Sequence, residues 1–381
     1  MRTRPHGGSW KNSIGMPESP GAAPASRGNN HYLGGSVMKF RHCIIATVAF
    51  CAAGWASGQE SMGVAVKGER LAVIDMHLHT GTWAGTPPRF RKRLTDRVPT
   101  GFKWTMGVFM NSRLDGESIL GTLDDAGISA GAVFALWSPA TTGIATNDHV
   151  AEQVAVNPDR LFGFASLRVD HWNQDGPEQL RQMEEAIEKH GMVGIKLAHG
   201  HQQVRLDDER LYGVYEIAAR QGTPIYLHTG TSPNPGTRTE PAYCDPAYLE
   251  EAIRLYPGAI FILGHSGYDS FNRALTHTDA AIDLARRYSN VYLEPGALGA
   301  ERAEHVLNDY LERIRAGGVI EKLIYGSDGP QLPGYVQSHL DAFVAGMQEV
   351  GYTTDEMRLI LADNFTRVFG MPKIVLEDQG S

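Results

Sequence analysis

Two stretches, PIYLHTG (residues 224–230) and AIFILGHSG (residues 259–267), share one pattern: a continuous apolar run that ends in histidine and glycine. A half-exposed strand alternates apolar and polar residues, whereas a parallel strand covered on both faces is apolar throughout. Each run is followed by a segment with apolar residues at helical spacing. The two stretches therefore predict buried parallel strands joined by crossover helices.

The same pattern recurs eight times along the chain. From the second stretch onward, the start positions are separated by 31, 33, 30, 35, 32 and 32 residues, and about 30 residues is the size of one strand–helix unit. The regular period predicts an α/β fold, a closed (β/α)8 TIM barrel, in a single domain over residues 59–381. An open doubly wound sheet is the alternative, and the missing G-x-G-x-x-G after the first strand weighs against it. The eight predicted strands are 71–79, 130–136, 161–167, 194–200, 224–230, 259–267, 291–297 and 323–330.

The intervening segments have the character of amphipathic helices. In residues 176–190, Leu180, Met183, Ala186 and Ile187 recur at helical spacing among Glu, Gln and Lys. The segments 211–220, 246–256, 278–288 and 301–316 repeat this pattern.

The first interval, from residue 71 to residue 130, is longer than the others by about one unit. We expect residues 81–115 to form a loop insertion over the active face of the barrel. Trp83 and Arg89 are its candidate substrate contacts. Two interpretations stay open, a lid for an anionic substrate and a solvated charged loop. The basic residues of the insertion, set against the single acid Asp96, are Arg89, Arg91, Lys92, Arg93, Arg97 and Lys103.

The composition of the amino-terminal region predicts that the protein is exported through a signal peptide. Residues 1–37 are rich in Gly, Pro, Ser, Asn and Arg, which indicates a disordered or non-native upstream extension. Residues 38–58 then combine a basic start at Met38, an apolar run over 43–55 and small residues, the three parts of a signal peptide. The apolar run is shorter than the roughly 20 residues that a membrane anchor needs. The expected location is periplasmic or secreted, with no membrane attachment after cleavage.

The net charge argues against one class of partner, and the cysteine content argues against an internal disulfide. The formal charge is −8; residues 1–58 carry six Lys/Arg and one Asp/Glu, which leaves 29 basic and 42 acidic residues and a charge of −13 in residues 59–381. That acidic balance argues against a nucleic-acid partner. Cys43 and Cys51 fall in the signal segment, so the exported chain retains only Cys244 and cannot form an internal disulfide.

Metal-binding residue types stand where four of the predicted strands end. His77 and His79 are two residues apart in IDMHLH, so they project to the same side of the first strand. His228, His265 and Asp328 follow the fifth, sixth and eighth strands. Closure of a barrel brings all of these ends together, and imidazoles with a carboxylate suit a divalent cation. Hydrogen-bonded core histidines are the structural alternative.

The fourth predicted strand carries GIKLAHGH, with Lys196, His199 and His201. Three roles stay open for Lys196: a carboxylated bridge between two metals, a ligand for a substrate carboxylate, and a buried ion pair. His199 and His201 are expected in the following loop as weaker candidates for substrate contact. Glu294 on the seventh strand has the same ambiguity as Lys196.

These motifs resemble the amidohydrolase superfamily, specifically its amidohydrolase-related branch of metal-dependent hydrolases, lactonases and aminocarboxymuconate-semialdehyde-decarboxylase-like enzymes. The resemblance runs from about residue 72 to residue 370. It includes IDMHLH, DDAGI, PDRLFGFASL, GIKL, GTPIYLHTG, GHSG, NVYLE, YGSDGP and ILADNFTRVFG, in that order.

The resemblance implies a site. His77, His79, His228 and Asp328 correspond to the ligands of one catalytic divalent cation, with zinc as the expected metal and a second ion left open. His265 corresponds to the histidine beside the metal, and it is a catalytic candidate together with Asp328. Many relatives continue the fourth-strand motif with His-Pro where this chain has Ala198–His199, which leaves the role of Lys196 open.

Three functions follow as hypotheses. The first is hydrolysis of a carboxylic ester, lactone or amide, since a bound divalent cation lowers the pKa of water from about 15.7 toward 7. In it, Asp328 takes the proton and His265 stabilises the oxyanion. The alternative is non-oxidative decarboxylation on the same ligands, and the second alternative is an exported metal- or ligand-binding protein without turnover. The expected partner is a small molecule, anionic if the basic insertion contacts it, and a homo-oligomer is left open.

Overall fold

A curled sheet of seven parallel strands forms the centre of the molecule. The computed structural model describes residues 62–96, 98–231, 241–301 and 303–376. Two antiparallel pairs flank the sheet, β1 (Val64–Val66) with β2 (Glu69–Leu71) and β5 (Leu136–Ser138) with β6 (Gly143–Ala145). The seven strands are β3 (Ile74–His79), β4 (Ala130–Phe134), β7 (Leu161–Ser166), β8 (Gly194–Leu197), β9 (Ile225–His228), β10 (Phe261–Gly264) and β11 (Val291–Glu294). Their pairing order, β11-β10-β9-β8-β7-β4-β3, follows the chain without a break, as in a barrel built from successive strand–helix units.

Residues 323–330 close the barrel between its two edges. Leu323 bridges in parallel to Leu293 of β11, and Gly329 bridges in parallel to Leu78 of β3. The segment therefore takes the place of the predicted eighth strand. It is not a regular strand, because Asp328 has a left-handed φ of 69° that interrupts the extended backbone. With this closure, the predicted α/β TIM-barrel fold is confirmed.

Helices follow the strands as the periodicity predicts, with ends that differ by a few residues. The main departure is the predicted helix 246–256, which divides into a 3-10 turn at Pro246–Leu249 and a short α-helix at Glu250–Leu255. The helices are α1 (Pro88–Thr95), α2 (Thr105–Leu114), α3 (Gly116–Asp125), α4 (Asn147–Val154), α5 (Trp172–His190), α6 (Glu209–Gln221), α7 (Pro241–Cys244), α8 (Glu250–Leu255), α9 (Thr278–Arg287), α10 (Glu304–Ala316), α11 (Tyr335–Val350), α12 (Thr354–Arg358) and α13 (Asn364–Val368).

The apolar core has two layers because successive strand residues face opposite sides of the sheet. In β9, Ile225 and Leu227 point outward into the layer beneath the helices, whereas Tyr226 and His228 point into the barrel. The inner layer consists of Ala72, Ile74, Met76, Ala130, Ala132, Phe134, Phe164, Tyr226, Ile262, Ile324, Ala362, Phe365 and Val368. Both faces of the strands are thus buried, which explains their continuous apolar sequences.

The closing helices seal the amino-terminal end of the barrel. A π-helical turn at Leu359–Asp363 leads into α13, and Phe365 of that helix is fully buried in the inner layer. Its ring stacks on Phe162 near the start of β7, with centroids 6.0 Å apart, and on Phe369, with centroids 4.4 Å apart. Access to the interior must therefore come from the carboxyl-terminal end of the strands.

The insertion between β3 and β4 differs from the predicted loop. It contains α1, a 3-10 turn at Thr100–Phe102 and α2. Pro88 begins α1, where its missing N–H costs nothing, and Lys92 pairs with Asp96 four residues later. A basic composition that indicated a solvated loop therefore forms helices instead. The insertion is tied to the barrel where the Thr80 hydroxyl donates to the Leu114 carbonyl (2.5 Å).

Several predictions fall on residues that the structure does not describe. These are the upstream extension 1–37, the signal peptide 38–58, Cys43 and Cys51, and Arg97 of the basic insertion. Cys244, within the described residues, is buried and free. Among the described helices, none has the length and apolar character that a bilayer crossing requires.

Candidate metal centre

Three polar side chains meet at the carboxyl-terminal end of the barrel. His77 Nε2 lies 3.2 Å from His79 Nε2, and Asp328 Oδ1 lies 3.3 Å from the former and 2.9 Å from the latter. Ligands bound to one cation at about 2.0–2.2 Å stand about 2.9–3.5 Å from each other. The three donor atoms therefore already have the mutual spacing of ligands that share an ion.

The backbone explains how both histidines reach the interior. Ile74 and Met76 face the inner layer, so regular alternation would send His77 outward. The pairing register of β3 with β4 shifts between Asp75 and Leu78, which reverses the alternation and turns His77 and His79 inward.

Asp75 holds the closing segment against the first strand. It is fully buried, and its Oδ1 accepts hydrogen bonds from the backbone N–H of His77 (3.0 Å) and of Ser327 (2.9 Å). Burial raises the pKa of Asp75 to about 7. Through its two hydrogen bonds, this carboxyl group holds together the two chain segments that carry His77 and Asp328. Asp75 was not identified from the sequence as part of the site.

A second pair of histidines lies beside the first group. His265 Nδ1 is 2.9 Å from the Gly296 carbonyl, which can only accept, so His265 donates from Nδ1. A neutral His265 therefore accepts at Nε2 from His228 Nδ1, 3.1 Å away. This order leaves a lone pair on His228 Nε2, which is buried and has no hydrogen-bond partner among the described residues. Such an orphaned acceptor is what a metal ligand offers before the ion binds.

The predicted site residues form one close group and one neighbour of that group. One ligand atom from each of His77, His265 and Asp328 lies within 4.8 Å of the others, and His79 contacts His77 and Asp328 directly. His228 adjoins this group through His265, so the four predicted ligands and the predicted catalytic histidine form one contiguous cluster.

Protonation in the cluster is set by burial and mutual charge. Desolvation lowers the pKa of His77 and of His228 well below the ordinary value for histidine, so both rings are neutral and able to bind a cation. Burial alone would raise the pKa of Asp328, but its close contacts with the imidazoles of His77 and His79 hold that pKa well below its usual range. Neutral imidazoles with an ionised carboxylate are the donor set that suits a divalent cation.

Lys196 points into the barrel from β8 and is 1% exposed. Its Nζ lies 3.8 Å from the centroid of the Tyr226 ring and 4.8 Å from that of Phe134, and no hydrogen-bond acceptor contacts it among the described residues. Burial lowers its pKa to about 7. Of the three roles left open, a direct ion pair is not formed within the described part of the chain.

The histidines after β8 occupy a buried 3-10 turn, His199–Gln202, rather than an exposed loop. His199 Nε2 lies 2.9 Å from the Tyr243 carbonyl. His201 packs on His228 with ring centroids 4.4 Å apart. Burial lowers the pKa of His199 to about 4 and that of His201 to about 3. Of the two, His201 is the one that adjoins the site.

The insertion contributes no hydrogen bond or ring contact to the cluster among the described residues. Trp83 is half-buried, with its backbone N–H bonded to Asn111 (2.7 Å) and Arg91 near its ring (5.9 Å). Arg89 is exposed on α1. Neither side chain contacts a histidine of the cluster directly within the described part of the chain, and their role as substrate contacts stays a prediction.

A TIM barrel with histidine and aspartate donors at the carboxyl ends of its strands defines a metal-dependent barrel enzyme. The chain belongs to the amidohydrolase family, whose sequence pattern matches residues 74–371. It is accordingly an enzyme of the amidohydrolase superfamily, and the family is metal-dependent.

Known proteins that resemble the chain include both lyases and hydrolases. The 2-amino-3-carboxymuconate-6-semialdehyde decarboxylase of Dictyostelium discoideum is 28% identical over 82 residues, which is 22% of each chain, so the match spans about a fifth of that relative. An uncharacterised TIM-barrel protein from Bordetella bronchiseptica aligns with a TM-score of 0.58 and 20% identity, covering 79% of this chain and 99% of that one. A dihydroxybenzoic acid decarboxylase from Polaromonas, solved with manganese and 2-nitroresorcinol, aligns with a TM-score of 0.55 and 19% identity over 79% and 97%. Further similar structures are named as decarboxylases and as candidate 2-pyrone-4,6-dicarboxylic acid hydrolases.

Proposed function

We propose that the chain catalyses the metal-dependent, non-oxidative decarboxylation of a small carboxylic acid. The observation that carries the proposal is the buried ammonium group of Lys196, which has no acceptor among the described residues. A buried ammonium group without a hydrogen-bond acceptor is costly, and a substrate carboxylate would supply that acceptor. The names of the Dictyostelium relative and of the Polaromonas structure support the same reaction class.

The donor set fits a cation on the evidence of its spacing and of the orphaned His228 Nε2. His77, His79 and Asp328 would hold the ion, with His228 as a further ligand. When bound, a divalent cation supplies Lewis-acid polarisation of a substrate oxygen.

The remaining chemistry belongs to residues of the chain. Lys196 Nζ donates to the substrate carboxylate, while the faces of Phe134 and Tyr226 exclude water from its surroundings. The carbon–carbon bond breaks, carbon dioxide leaves, and the electron pair stays on the substrate carbon, which takes up one proton. Lys196 is suited to donate that proton, since a pKa of about 7 matches a general acid at neutral pH.

Hydrolysis of an ester, lactone or amide is the second candidate, and the state of Asp328 favours it. Its carboxylate is ionised and adjoins His77 and His79, so it can accept a proton from water at the site. Lys196 weighs toward decarboxylation, because that reaction uses both a partner for the substrate carboxylate and a donor for the proton that the carbon takes up, whereas ester or lactone hydrolysis needs neither from this residue.

Product analysis in ¹⁸O-labelled water tests the assignment. Protein loaded with Zn²⁺ or Mn²⁺ is incubated with aromatic and unsaturated acids and with a panel of lactones and esters. We expect carbon dioxide in the headspace and a product shorter by one carbon, without ¹⁸O in that product. Turnover of lactones or esters alone, with ¹⁸O in the released acid, would establish the hydrolase and refute the decarboxylase. Bound metal without turnover of any substrate would instead establish a binding protein.

We also propose that the protein is exported, on the basis of residues 38–58. Amino-terminal sequencing of protein recovered outside the cytoplasm should find a start close to residue 59. Recovery of the uncleaved chain in the cytoplasm alone would contradict export.

A further inference from the structure

A buried acid and a buried phenol contact the side of His77 that faces away from the donor cluster. Glu294 projects inward from the end of β11, and Tyr226 projects inward from β9. Tyr226 Oη lies 2.9 Å from His77 Nδ1 and 2.8 Å from Glu294 Oε2, and Glu294 Oε1 lies 3.3 Å from His77 Nδ1. All three side chains are fully buried.

The hydrogen-bond chemistry of this trio fixes where the imidazole proton sits. Burial raises the pKa of Glu294, but its Oε2 accepts from two donors, the Tyr226 hydroxyl and the His265 N–H, as the oxygen of an ionised carboxylate does. The one hydroxyl proton of Tyr226 is thereby used, and its oxygen is left to accept. Both groups that face His77 Nδ1 are then acceptors, which places the single proton of a neutral ring on Nδ1. The lone pair is consequently on Nε2, the atom that lies 3.2 Å from His79 Nε2 and 3.3 Å from Asp328 Oδ1.

Glu294 also reaches the other half of the site. Its Oε2 accepts a hydrogen bond from the backbone N–H of His265 (3.1 Å). One carboxylate therefore orients a side chain from the first strand and the backbone at the end of the sixth. The ligand His77 and the neighbouring catalytic candidate His265 therefore share a single positioning residue.

Glycines make the room that this arrangement needs. A Cβ at Gly296 would lie 2.7 Å from both Glu294 Oε1 and His77 Nδ1, closer than real Cβ atoms approach. A Cβ at Gly264 would overlap the Tyr226 hydroxyl. Glycine therefore occupies these two interior positions beside the trio, as expected where neighbouring groups must approach the backbone closely.

We propose that Glu294 and Tyr226 are positioning residues of the metal centre, which hold His77 in the Nδ1–H form with Nε2 directed at the ion. The inference rests on the metal site of the proposed function and is independent of the reaction catalysed there. Groups of this kind orient metal-binding histidines, and their loss weakens metal affinity about 10- to 100-fold.

The test uses Tyr226→Phe and Glu294→Gln, with Tyr215→Phe as the matched control. Tyr215 is equally buried and donates to the Leu206 carbonyl (2.9 Å) away from the site. Affinity for Zn²⁺ is measured by competition with a chromophoric chelator. The tautomer of His77 is read from ¹⁵N shifts of the metal-free protein labelled at histidine, with His77→Gln used to assign the signal.

Both site variants should bind Zn²⁺ about 10- to 100-fold more weakly than the parent, and the His77 signal should move from a pure Nδ1–H form toward a mixture. Tyr215→Phe should change neither. Unchanged affinity together with an unchanged tautomer would overturn the inference. If Glu294→Gln does not fold, Tyr226→Phe alone decides, because it removes one oxygen atom and keeps the ring.

Failure of the metal site itself is distinguishable from failure of this inference. A parent protein that binds no metal would refute the proposed function. The tautomer in the metal-free protein would still report whether Tyr226 and Glu294 set the state of His77: a shift on substitution supports the positioning role, and no shift contradicts it.

Discussion

The two ends of the barrel interior are built from opposite kinds of side chain. At the amino-terminal end, Phe365 and its aromatic and aliphatic neighbours fill the space without polar atoms. At the carboxyl-terminal end, the same inward-facing register carries Lys196, His228 and Glu294, all buried. Burial of apolar groups stabilises a fold, whereas burial of ionisable groups costs stability unless partners are provided. The comparison indicates that the first end maintains the barrel and that the second holds groups that ligands must satisfy.

Removal of a predicted metal ligand should have the largest effect of these changes. The loss should appear in metal binding and in turnover. His79→Ala and Asp328→Asn should lose bound metal and about 10³-fold or more of turnover, because the Lewis acid is lost with them. Both variants should remain folded without metal, because neither residue belongs to the apolar core of the barrel. Metal analysis, steady-state kinetics and urea titration provide the three measurements. His171→Ala, at an exposed histidine, is the control. Unaltered turnover in either variant would remove that residue from the site.

Truncation at the other end should affect stability alone. Phe365→Ala deletes a fully buried ring and should lower the free energy of unfolding by about 3–5 kcal/mol. Metal affinity of the folded fraction should stay within about threefold of the parent. Phe102→Ala, at a ring that is 55% exposed, should change stability by less than about 0.5 kcal/mol. A loss below 1 kcal/mol for Phe365→Ala would contradict the structural role of the closing helix.

Replacement of Lys196 should lower activity without lowering stability, which tests whether the carboxyl-terminal end of the barrel serves function rather than folding. Lys196→Met keeps the length of the side chain and removes a buried charge, so the free energy of unfolding should be unchanged or rise by about 1–3 kcal/mol. Turnover of a carboxylate substrate should fall about 10²-fold, since a charged hydrogen bond is lost. Lys92→Met, at an exposed lysine, should change neither quantity. Destabilisation of Lys196→Met with unchanged turnover would make the lysine structural and would remove the main support for the proposed reaction.

A smaller effect should appear in the pH dependence of stability at His339. This buried ring lies between the hydroxyl of Tyr325 (3.1 Å) and the backbone N–H of Gly299 (3.0 Å), and burial lowers its pKa to about 4 from 6.5. The unfolded chain therefore binds a proton at higher pH than the folded chain, so stability is full above pH 6.5 and falls as the pH approaches 4. Between pH 7 and pH 5 the loss from this residue should be about 2 kcal/mol.

Urea titrations of the parent and of His339→Gln at both pH values isolate this contribution. The variant should lose about 2 kcal/mol less than the parent over the interval, whatever its stability at pH 7. Equal losses in the two proteins would contradict the depressed pKa of His339.

The barrel could be predicted from sequence because its evidence is local. Continuous apolar runs such as AIFILG and their spacing of about 32 residues do not depend on distant contacts. Strand ends were less predictable: the predicted strand 194–200 ends at Leu197, because the histidines that follow form a 3-10 turn. The helices of the insertion were missed, since charge composition does not distinguish a solvated helix from a solvated loop.

The site was predicted only in part. His77, His79, His228, His265 and Asp328 were identified from residue type at strand ends, and the structure brings them into one cluster. Tyr226 and Asp75 were missed, because an aromatic or acidic residue inside an apolar run gives no sign of what it contacts. Trp83 and Arg89 were chosen for their chemistry, yet the described residues place neither in contact with the histidines.

The sequence by itself determined the fold class and the kinds of ligand available, because periodicity and residue type are properties of short segments. Only the tertiary structure decided which nitrogen of His77 faces His79 and Asp328, that Glu294 contacts groups on two strands, and that Lys196 is buried without an acceptor among the described residues. Contacts in this cluster join residues 149 and 249 positions apart in the sequence at distances of 2.9 Å. Barrel closure creates such contacts, and no local pattern in the chain encodes their geometry.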